Sequence, residues 1–328
     1  MSLTGPNLYI TPAILINAPT GVAWSTIPTP KATSAQQLQE QQQICYRTSS
    51  WIDNYCNQPL KCTYDVETVT GPNDRMTYNR SGGFFEVKAV RFPILSVIGG
   101  SYSNSSAFPY QWTNISSSYL RPSGNVLGSD GSLAPVGTSA HPWRVQVSGQ
   151  VLSTQRNGWT MQFGYLNGWP TTSLTTAANV GDTSVEVDDV TGWYLGSYPS
   201  QFAASGGAQG VLGQWYDPLN LANEQSIVTN ATATTPITSF GVSVQTGPGT
   251  LTLDTPLQYA HAAGTLFTSL PYTVIQAAIY RSVYDVLIRG TTSLNVPSLQ
   301  GGITHATGDA SAYATEAELL LQPFIRII

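Results

Sequence analysis

The chain contains 328 residues, enough for a sizeable hydrophobic core and about two or three domains. Only 9% of the residues are charged, but 8 Trp, 17 Tyr and 9 Phe exclude a disordered polar chain. The formal net charge of −5 and the scattered Lys and Arg argue against a nucleic-acid-binding surface, which needs clustered positive charge. Abundant Ser, Thr, Asn, Gly and Pro instead favour short strands joined by many turns.

The sequence predicts neither export nor membrane insertion. The start, Met1–Pro6, lacks a basic region followed by an apolar run, so we expect no signal peptide. No stretch of about 18 consecutive apolar residues is present, so we expect no transmembrane helix and no membrane partner. The cysteines, Cys45, Cys56 and Cys62, lack the spacing of metal ligands and are expected to be reduced thiols of a protein made in a cytoplasm.

Residues 1–32 predict an extended N-terminal arm. Prolines recur through this segment and restrict their own backbone and that of the preceding residues to extended conformations. The segment also contains apolar residues, among them Leu8, Tyr9 and Ile10, that need a surface to cover. That surface could belong to the chain's own core or to a neighbouring subunit, and the sequence leaves both interpretations open.

The first predicted helix follows the arm. Ser34 and Gln37 have the spacing of a capping box, and the run Ala35–Asn57 contains no Gly or Pro. From Ile44 onward the apolar residues recur at the spacing of one helical face. The glutamines of the earlier turns could face solvent or another subunit.

Two further helices are predicted near the end of the chain. One starts at Pro271, a favourable first-turn residue, and ends at Gly290, a favourable C-terminal cap. The other is short, opens with a capping box formed by Thr315 and Glu318, and stops at Pro323.

The part between these helices is rich in predicted strands. From residue 59 to residue 170, short alternating segments are separated by turn residues, and residues 171–269 lack helical periodicity. With helices at both ends, this pattern predicts an α+β protein in which residues 171–269 form a separate all-β unit.

The sequence offers little catalytic chemistry. It contains no phosphate-binding loop, no dinucleotide-binding fingerprint and no nucleophile elbow. His141, His261 and His305 are isolated from one another and from other ligand residues. We therefore predict no catalytic residue, no cofactor and no metal, and expect that the chain is not an enzyme.

Two clusters admit a binding interpretation beside a structural one. Glu186, Asp188 and Asp189 could bind calcium, or could be charges on a solvated strand edge that discourage edge pairing. Five aromatic residues near turns of the all-β unit could stack on sugars, or could fill a core or an interface. These aromatic residues are Trp193, Tyr194, Tyr198, Trp215 and Tyr216.

The order of five segments resembles the head–tail connector family of tailed phages, whose members are also described as adaptor or head-completion proteins. The segments are IDNYCNQP at 52–59, FPILSV at 92–97, FGYLNGWP at 163–170, LPYTVIQAA at 270–278 and LLLQPFIR at 319–326. The resemblance implies a discontinuous core, residues 33–170 plus 270–328, with residues 171–269 as an inserted β domain. The family pattern assigns no role to that insertion.

The resemblance also implies a structural function in the neck of a virion that assembles in the host cytoplasm. Such subunits form a ring, commonly of twelve, beneath the portal protein, extend the channel through which DNA passes as cargo, and dock the next tail or neck protein. An alternative is a β-rich virion protein that binds a receptor or a glycan through the aromatic insertion.

Apolar segments at both ends of the chain are the candidate contacts with the portal or with a neighbouring subunit. The C-terminal segment could instead pack on the chain's own helices, and the sequence leaves this open. The candidate residues are Leu8, Tyr9, Ile10, Phe324, Ile325, Arg326, Ile327 and Ile328.

Overall fold

The structure is a computed structural model in which α-helices are combined with antiparallel β-sheets. It describes residues 8–29, 31–71, 75–79, 82–103, 108–123, 144–149, 158–196, 210–217, 223–288, 296–297, 303–304 and 310–326. Within these ranges no helix combines the length and the apolar character needed to cross a membrane.

The described residues contain four α-helices: α1 (Pro12–Asn17), α2 (Ser34–Cys56), α3 (Tyr272–Ile288) and α4 (Ala310–Leu321). Short 3-10 turns lie at Trp24–Thr26, Ser117–Tyr119 and Gln322–Phe324. Helices α2, α3 and α4 pack together with the N-terminal segment, and we call this assembly the helical core.

The cap of α2 lies one residue before the predicted one. Thr33 is the N-cap, and its hydroxyl accepts a hydrogen bond from the Gln36 amide at 3.3 Å. The Gln36 side chain accepts one from the Thr33 amide at 2.9 Å, which completes a capping box. Ser34 has the same side-chain chemistry as Thr33 but lies inside the helix, so the predicted Ser34–Gln37 pair is wrong.

The predicted cap of the last helix is also wrong. Helix α4 begins at Ala310, and Thr315 lies inside it, where its hydroxyl donates to the Ser311 carbonyl at 3.0 Å. Alanine is the strongest helix former, and the alanines between residues 310 and 317 extend the helix toward the N-terminus. A threonine can satisfy its hydroxyl on a carbonyl four residues back as readily as at a cap.

The N-terminal segment differs from the expected extended arm. Thr11 caps α1, and Pro12 occupies its first turn, where its missing N–H leaves no bond unmade. Tyr9, Ile10, Leu15, Trp24 and Ile27 are buried in the helical core of the same chain.

The glutamines of α2 hold the N-terminal segment in place. The Gln41 side chain is buried and donates to the Trp24 carbonyl at 3.1 Å, and Gln37 donates to the carbonyl of Ala32 at 3.2 Å. At these two positions the glutamine face of α2 therefore binds this chain's own segment.

Eight strands follow α2 and form two four-stranded antiparallel sheets, which we call the sheet pair. The strands are β1 (Thr63–Gly71), β2 (Met76–Asn79), β3 (Phe84–Lys88), β4 (Ile94–Ser103), β5 (Thr113–Ile115), β6 (Leu120–Pro122), β7 (Arg144–Ser148) and β8 (Trp159–Asn167). One sheet has the order β1-β8-β4-β5 and the other β2-β3-β7-β6. Their apolar faces share one core that includes Val87, Val147 and Phe163.

The remaining strands begin at Thr171. They are β9 (Thr171–Ser173), β10 (Ser184–Val187), β11 (Leu212–Tyr216), β12 (Gln225–Ala233), β13 (Ile237–Ser239), β14 (Val242–Val244), β15 (Gly249–Leu253), β16 (Leu266–Thr268), β17 (Val296–Pro297) and β18 (Ile303–Thr304). Strands β13 and β14 form a hairpin, and β17 pairs with β18.

Six of these strands form a closed antiparallel barrel. Their order is β10-β15-β12-β11-β16-β9, and a bridge between Leu174 and Val187 joins the two outer strands. The Thr175 amide donates to the Glu186 carbonyl and the Asp188 amide to the Ser173 carbonyl, each at 3.0 Å. Strand β10 is therefore paired on both sides, which corrects the expectation of a free strand edge.

The chain enters the barrel and leaves it at the same place. The Ser269 amide donates to the Pro170 carbonyl at 2.9 Å, so the last residue of the insertion neighbours the residue that precedes the insertion. Next to this junction, Trp169 and Leu270 are both buried in the helical core.

The contacts that attach the barrel to the rest of the fold include a hairpin tip and an ion pair. At the tip of the β13–β14 hairpin, Phe240 has a φ of 49° and lies against two glycines, Gly99 and Gly164. A Cβ atom built at Gly99 would lie 2.7 Å from the Cβ of Phe240, so only glycine allows this approach. The second contact is an ion pair between Lys61 and Asp189, whose charged atoms are 2.9 Å apart.

Candidate functional site

The N-terminal candidate residues pack on the C-terminal end of α2. The Tyr9 hydroxyl donates to the Asp53 carboxylate and accepts hydrogen bonds from the amides of Leu60 at 2.8 Å and Lys61 at 3.2 Å. Burial, followed by the negative charge of Asp53, raises the pKa of Tyr9 well above its usual value, so the phenol stays neutral. The hydroxyl thus satisfies backbone donors where α2 ends.

The C-terminal candidate residues reach the same end of α2. Phe324 is 4% exposed, and its carbonyl accepts a hydrogen bond from the Gln58 side chain at 3.2 Å. The Arg326 amide donates to the Cys56 carbonyl at 2.9 Å. Both terminal segments therefore meet at residues 53–61.

Only part of the predicted interface has surface to offer a partner. Tyr9, Ile10 and Phe324 are buried by this chain's own helices, so their side chains are core residues in this structure. Leu8, Ile325 and Arg326 are partly exposed. Ile327 and Ile328 lie outside the described residues.

The segments that carry the family resemblance meet around Gln58. Its side-chain oxygen accepts from the Phe92 amide at 3.2 Å while its nitrogen donates to the Phe324 carbonyl. The Gly168 amide donates to the Pro93 carbonyl at 2.9 Å, and the ring of Trp169 meets that of Phe324 edge-on at 5.5 Å. Four of the five segments thus make direct polar or ring contacts, and Leu270 of the fifth lies in the same core.

The acidic cluster near β10 is divided between different partners. Asp188 accepts hydrogen bonds from the hydroxyl of Thr172 and from the amide and hydroxyl of Ser173, at 2.6–2.9 Å. Asp189 pairs with Lys61, and Glu186 is exposed on β10. The described residues hold no group of three or more His, Cys, Asp or Glu suited to a metal ion.

The pKa of Asp189 reflects its position between the barrel and the sheet pair. Burial of the carboxyl would raise its pKa, but the charge of Lys61 and hydrogen bonds from Thr191 and Lys61 outweigh this and lower it. Asp189 is therefore a charged structural contact at the base of the barrel.

Two of the predicted sugar-stacking aromatics form the core of the barrel. Trp193 and Trp215 are fully buried, and each stacks on Phe267 with ring centroids 4.3 Å apart. Buried rings cannot stack on a ligand at the surface, so for these two the core interpretation is the correct one. Tyr194 and Tyr216 are partly exposed, and Tyr198 lies outside the described residues.

A buried histidine cluster closes one end of the barrel and was missed by the sequence analysis. His261 is 1% exposed, stacks on Trp215 at 4.9 Å, and lies 3.4 Å from the Asp217 carboxylate and 2.9 Å from that of Glu224. Glu224 also accepts hydrogen bonds from the amides of Gln258 and Tyr259. The cluster ties two loops together, and no spacing in the sequence marks it; the other two histidines lie outside the described residues.

The three cysteines are free thiols, as predicted, and all are buried. Burial raises the pKa of Cys45 to about 12. Burial, with the charge of Asp53, raises the pKa of Cys56 to about 12, and burial also raises that of Cys62. Since the thiolate is the reactive form, these residues act as apolar core groups.

Comparison of the chain with models of protein families found no match. Searches against curated proteins and against solved structures found no match either.

Proposed function

We propose that this chain is a structural adaptor of a virion neck, one subunit of a ring beneath the portal protein. The observation that supports this most is the convergence around Gln58 of segments whose bonded residues are up to 266 positions apart. Each segment is a weak motif by itself. Their mutual contacts support a single adaptor core assembled from both ends of the chain.

The attachment of the barrel supports the same proposal. Because Pro170 and Ser269 are hydrogen-bonded neighbours, the barrel can be added to a core without moving the residues on either side. Phe240 and the Lys61–Asp189 pair then hold the barrel against the sheet pair. In the proposed ring, each subunit carries a barrel in a defined orientation.

The C-terminal end is the proposed portal contact. Buried Phe324 and the backbone bond from Arg326 to Cys56 fix the path of the chain, which leaves the side chains of Ile325 and Arg326 partly exposed. A segment anchored in this way loses little conformational entropy when a partner binds.

The proposal is tested by electron microscopy of the purified protein mixed with the portal protein encoded in the same genome. We expect a second coaxial ring stacked on the portal, with extra density for the barrel. Bare portals at a high concentration of the protein would contradict the adaptor function.

An Ile325→Asp variant locates the contact. We expect it to remain folded and to lose ring attachment, since it places a charge in an apolar interface. The matched control is Ile237→Asp, which makes the same change at a 42% exposed position on the barrel hairpin. Equal attachment of both variants to the portal would show that the C-terminal end is not part of the interface.

A further inference from the structure

A cavity of about 430 Å³ lies between the helical core and the barrel, where α1, the beginning of α3 and the end of β11 meet. Its volume falls within the range of small-molecule sites, about 300–1,000 Å³. Four tyrosines line it, together with carboxamide side chains. The tyrosines are Tyr216, Tyr272, Tyr280 and Tyr313.

The cavity is electrically neutral. None of the described residues that line it carries a charged side chain; the polar groups are phenols, carboxamides and one threonine hydroxyl. The buried carboxylates of Asp217 and Glu224 lie close by in sequence, but they bind His261 and are not part of the lining. A neutral lining does not offset the desolvation of a charged ligand, so it favours an uncharged one.

Several polar groups of the cavity have no hydrogen-bond partner within the described part of the chain. These are the hydroxyls of Tyr216, Tyr280 and Tyr313, each of which can both donate and accept. The Asn223 oxygen accepts from the Asp217 amide at 3.2 Å and the Gln276 oxygen from the Tyr272 hydroxyl at 3.1 Å. The side-chain NH₂ groups of Asn223 and Gln276 therefore remain available as donors.

Ring surface is available beside these groups. Tyr272 is 61% exposed at the mouth of the cavity, and Tyr280 meets Tyr313 edge-on with ring centroids 5.7 Å apart. Aromatic rings bind flat apolar surfaces, and a sugar ring has such a C–H surface with hydroxyls around it. The hydroxyls of a sugar both donate and accept hydrogen bonds, so they can pair with the phenols and carboxamides of the cavity. A purely apolar ligand would leave these polar groups without partners.

We propose that this cavity binds a neutral saccharide, with Tyr272 stacking on a sugar ring and Tyr216, Asn223 and Gln276 bonding its hydroxyls. Tyr216, for which the sequence leaves a sugar contact open, lies in the lining of this cavity. The proposal does not depend on the adaptor function, since it concerns the isolated chain without portal protein.

The test is saturation-transfer NMR and calorimetric titration of the full chain with maltotriose, cellotriose and tri-N-acetylchitotriose. We expect one of them to bind. Tyr272→Ala should weaken that binding about tenfold through loss of the ring, and Tyr272→Phe should retain most of it. Tyr216→Phe, which removes one hydroxyl, should weaken it about threefold.

The control variant is Tyr78→Ala, which removes a 49% exposed tyrosine on β2 outside the cavity and should bind like the wild type. Three results would overturn the proposal. One is no binding of any of the three sugars at about 10 mM. Another is binding that Tyr272→Ala and Tyr216→Phe leave unchanged. The third is Tyr272-dependent binding of a decaproline peptide without binding of any sugar, which would make the cavity a peptide groove.

Discussion

The barrel and the helical core differ in how far apart in the sequence the residues that pack together lie. All six barrel strands come from one continuous stretch, residues 171–268, and a stack of rings lies within it. Cys62, Leu95, Ile98 and Leu166 are the buried residues from outside this stretch that join its core. The helical core joins residues 9–60 to residues 270–324, on either side of the barrel and the sheet pair. The barrel therefore takes its strands and most of its core from one stretch of the sequence, whereas the helical core requires both ends of the chain.

The largest expected effect is in the helical core. Phe324→Ala removes a buried ring packed on Trp169 and should lower the free energy of unfolding by about 3–5 kcal/mol. The matched control is Leu319→Ala, at a 50% exposed position on α4, which should change it by about 0.5 kcal/mol or less. Urea unfolding followed by circular dichroism measures both. Similar values for the two variants would show that the C-terminus does not hold the core.

The Lys61–Asp189 pair tests how the barrel is attached, and its effect depends on pH. The folded state lowers the pKa of Asp189 below its usual 3.8. The stabilisation is therefore present above that value and is lost as the pH falls through the folded pKa. Asp189→Asn should lower the free energy of unfolding at pH 7 by about 2–3 kcal/mol, because Lys61 loses its charged partner.

Urea unfolding of both proteins between about pH 7 and pH 2 checks the sign. The wild type should lose more stability on acidification than Asp189→Asn, and the two curves should converge at low pH. Glu186→Gln, which neutralises an exposed carboxylate on β10, is the control and should follow the wild type. Parallel curves for wild type and Asp189→Asn would contradict the assigned role.

The hairpin tip gives a smaller effect on the same attachment. Gly99→Ala places a methyl group against Phe240 and should cost about 1–3 kcal/mol of stability. In a Phe240→Gly background the Cβ that the methyl group would meet is gone, so its cost should largely disappear. A double-mutant cycle by urea unfolding measures this coupling. Additive effects of the two changes would show that the hairpin does not press on the sheet.

The smallest expected effect distinguishes the observed helix cap from the predicted one. Thr33→Ala removes the side chain that caps α2 and should cost about 1 kcal/mol. Ser34→Ala changes an exposed position inside the first turn and should cost about 0.5 kcal/mol or less. Thermal unfolding of the two variants side by side measures both costs. A larger loss of stability in Ser34→Ala than in Thr33→Ala would identify Ser34 as the cap.

Elements with local causes were predictable. Helices α2 and α3 lie within two residues of their predicted starts, because their apolar spacing and their Gly- and Pro-free runs act over a few turns. The predicted cap of α2 lies one residue after the observed one, because Thr33 and Ser34 both have a hydroxyl that can cap a helix. The predicted cap of α4 is wrong because a Thr-x-x-Glu spacing also occurs inside helices.

The candidate site depended on distant contacts and was less predictable. Leu8–Ile10 and Phe324–Ile328 are predicted contacts because they are apolar ends that need cover, but apolar character does not say whether the cover is the same chain or another. Asp217, Glu224 and His261 were missed because each is isolated in the sequence, and the barrel loops bring them together.

The sequence by itself determined where the helices and the all-β stretch lie, because period, capping residues and composition act between near neighbours. Tertiary structure alone decided that β9 and β10 close a barrel, that Trp193 and Trp215 fill it, and that Tyr9 and Phe324 share the end of α2. Burial depends on which distant surface covers a side chain, and no local sequence pattern identifies the distant residues that form this surface.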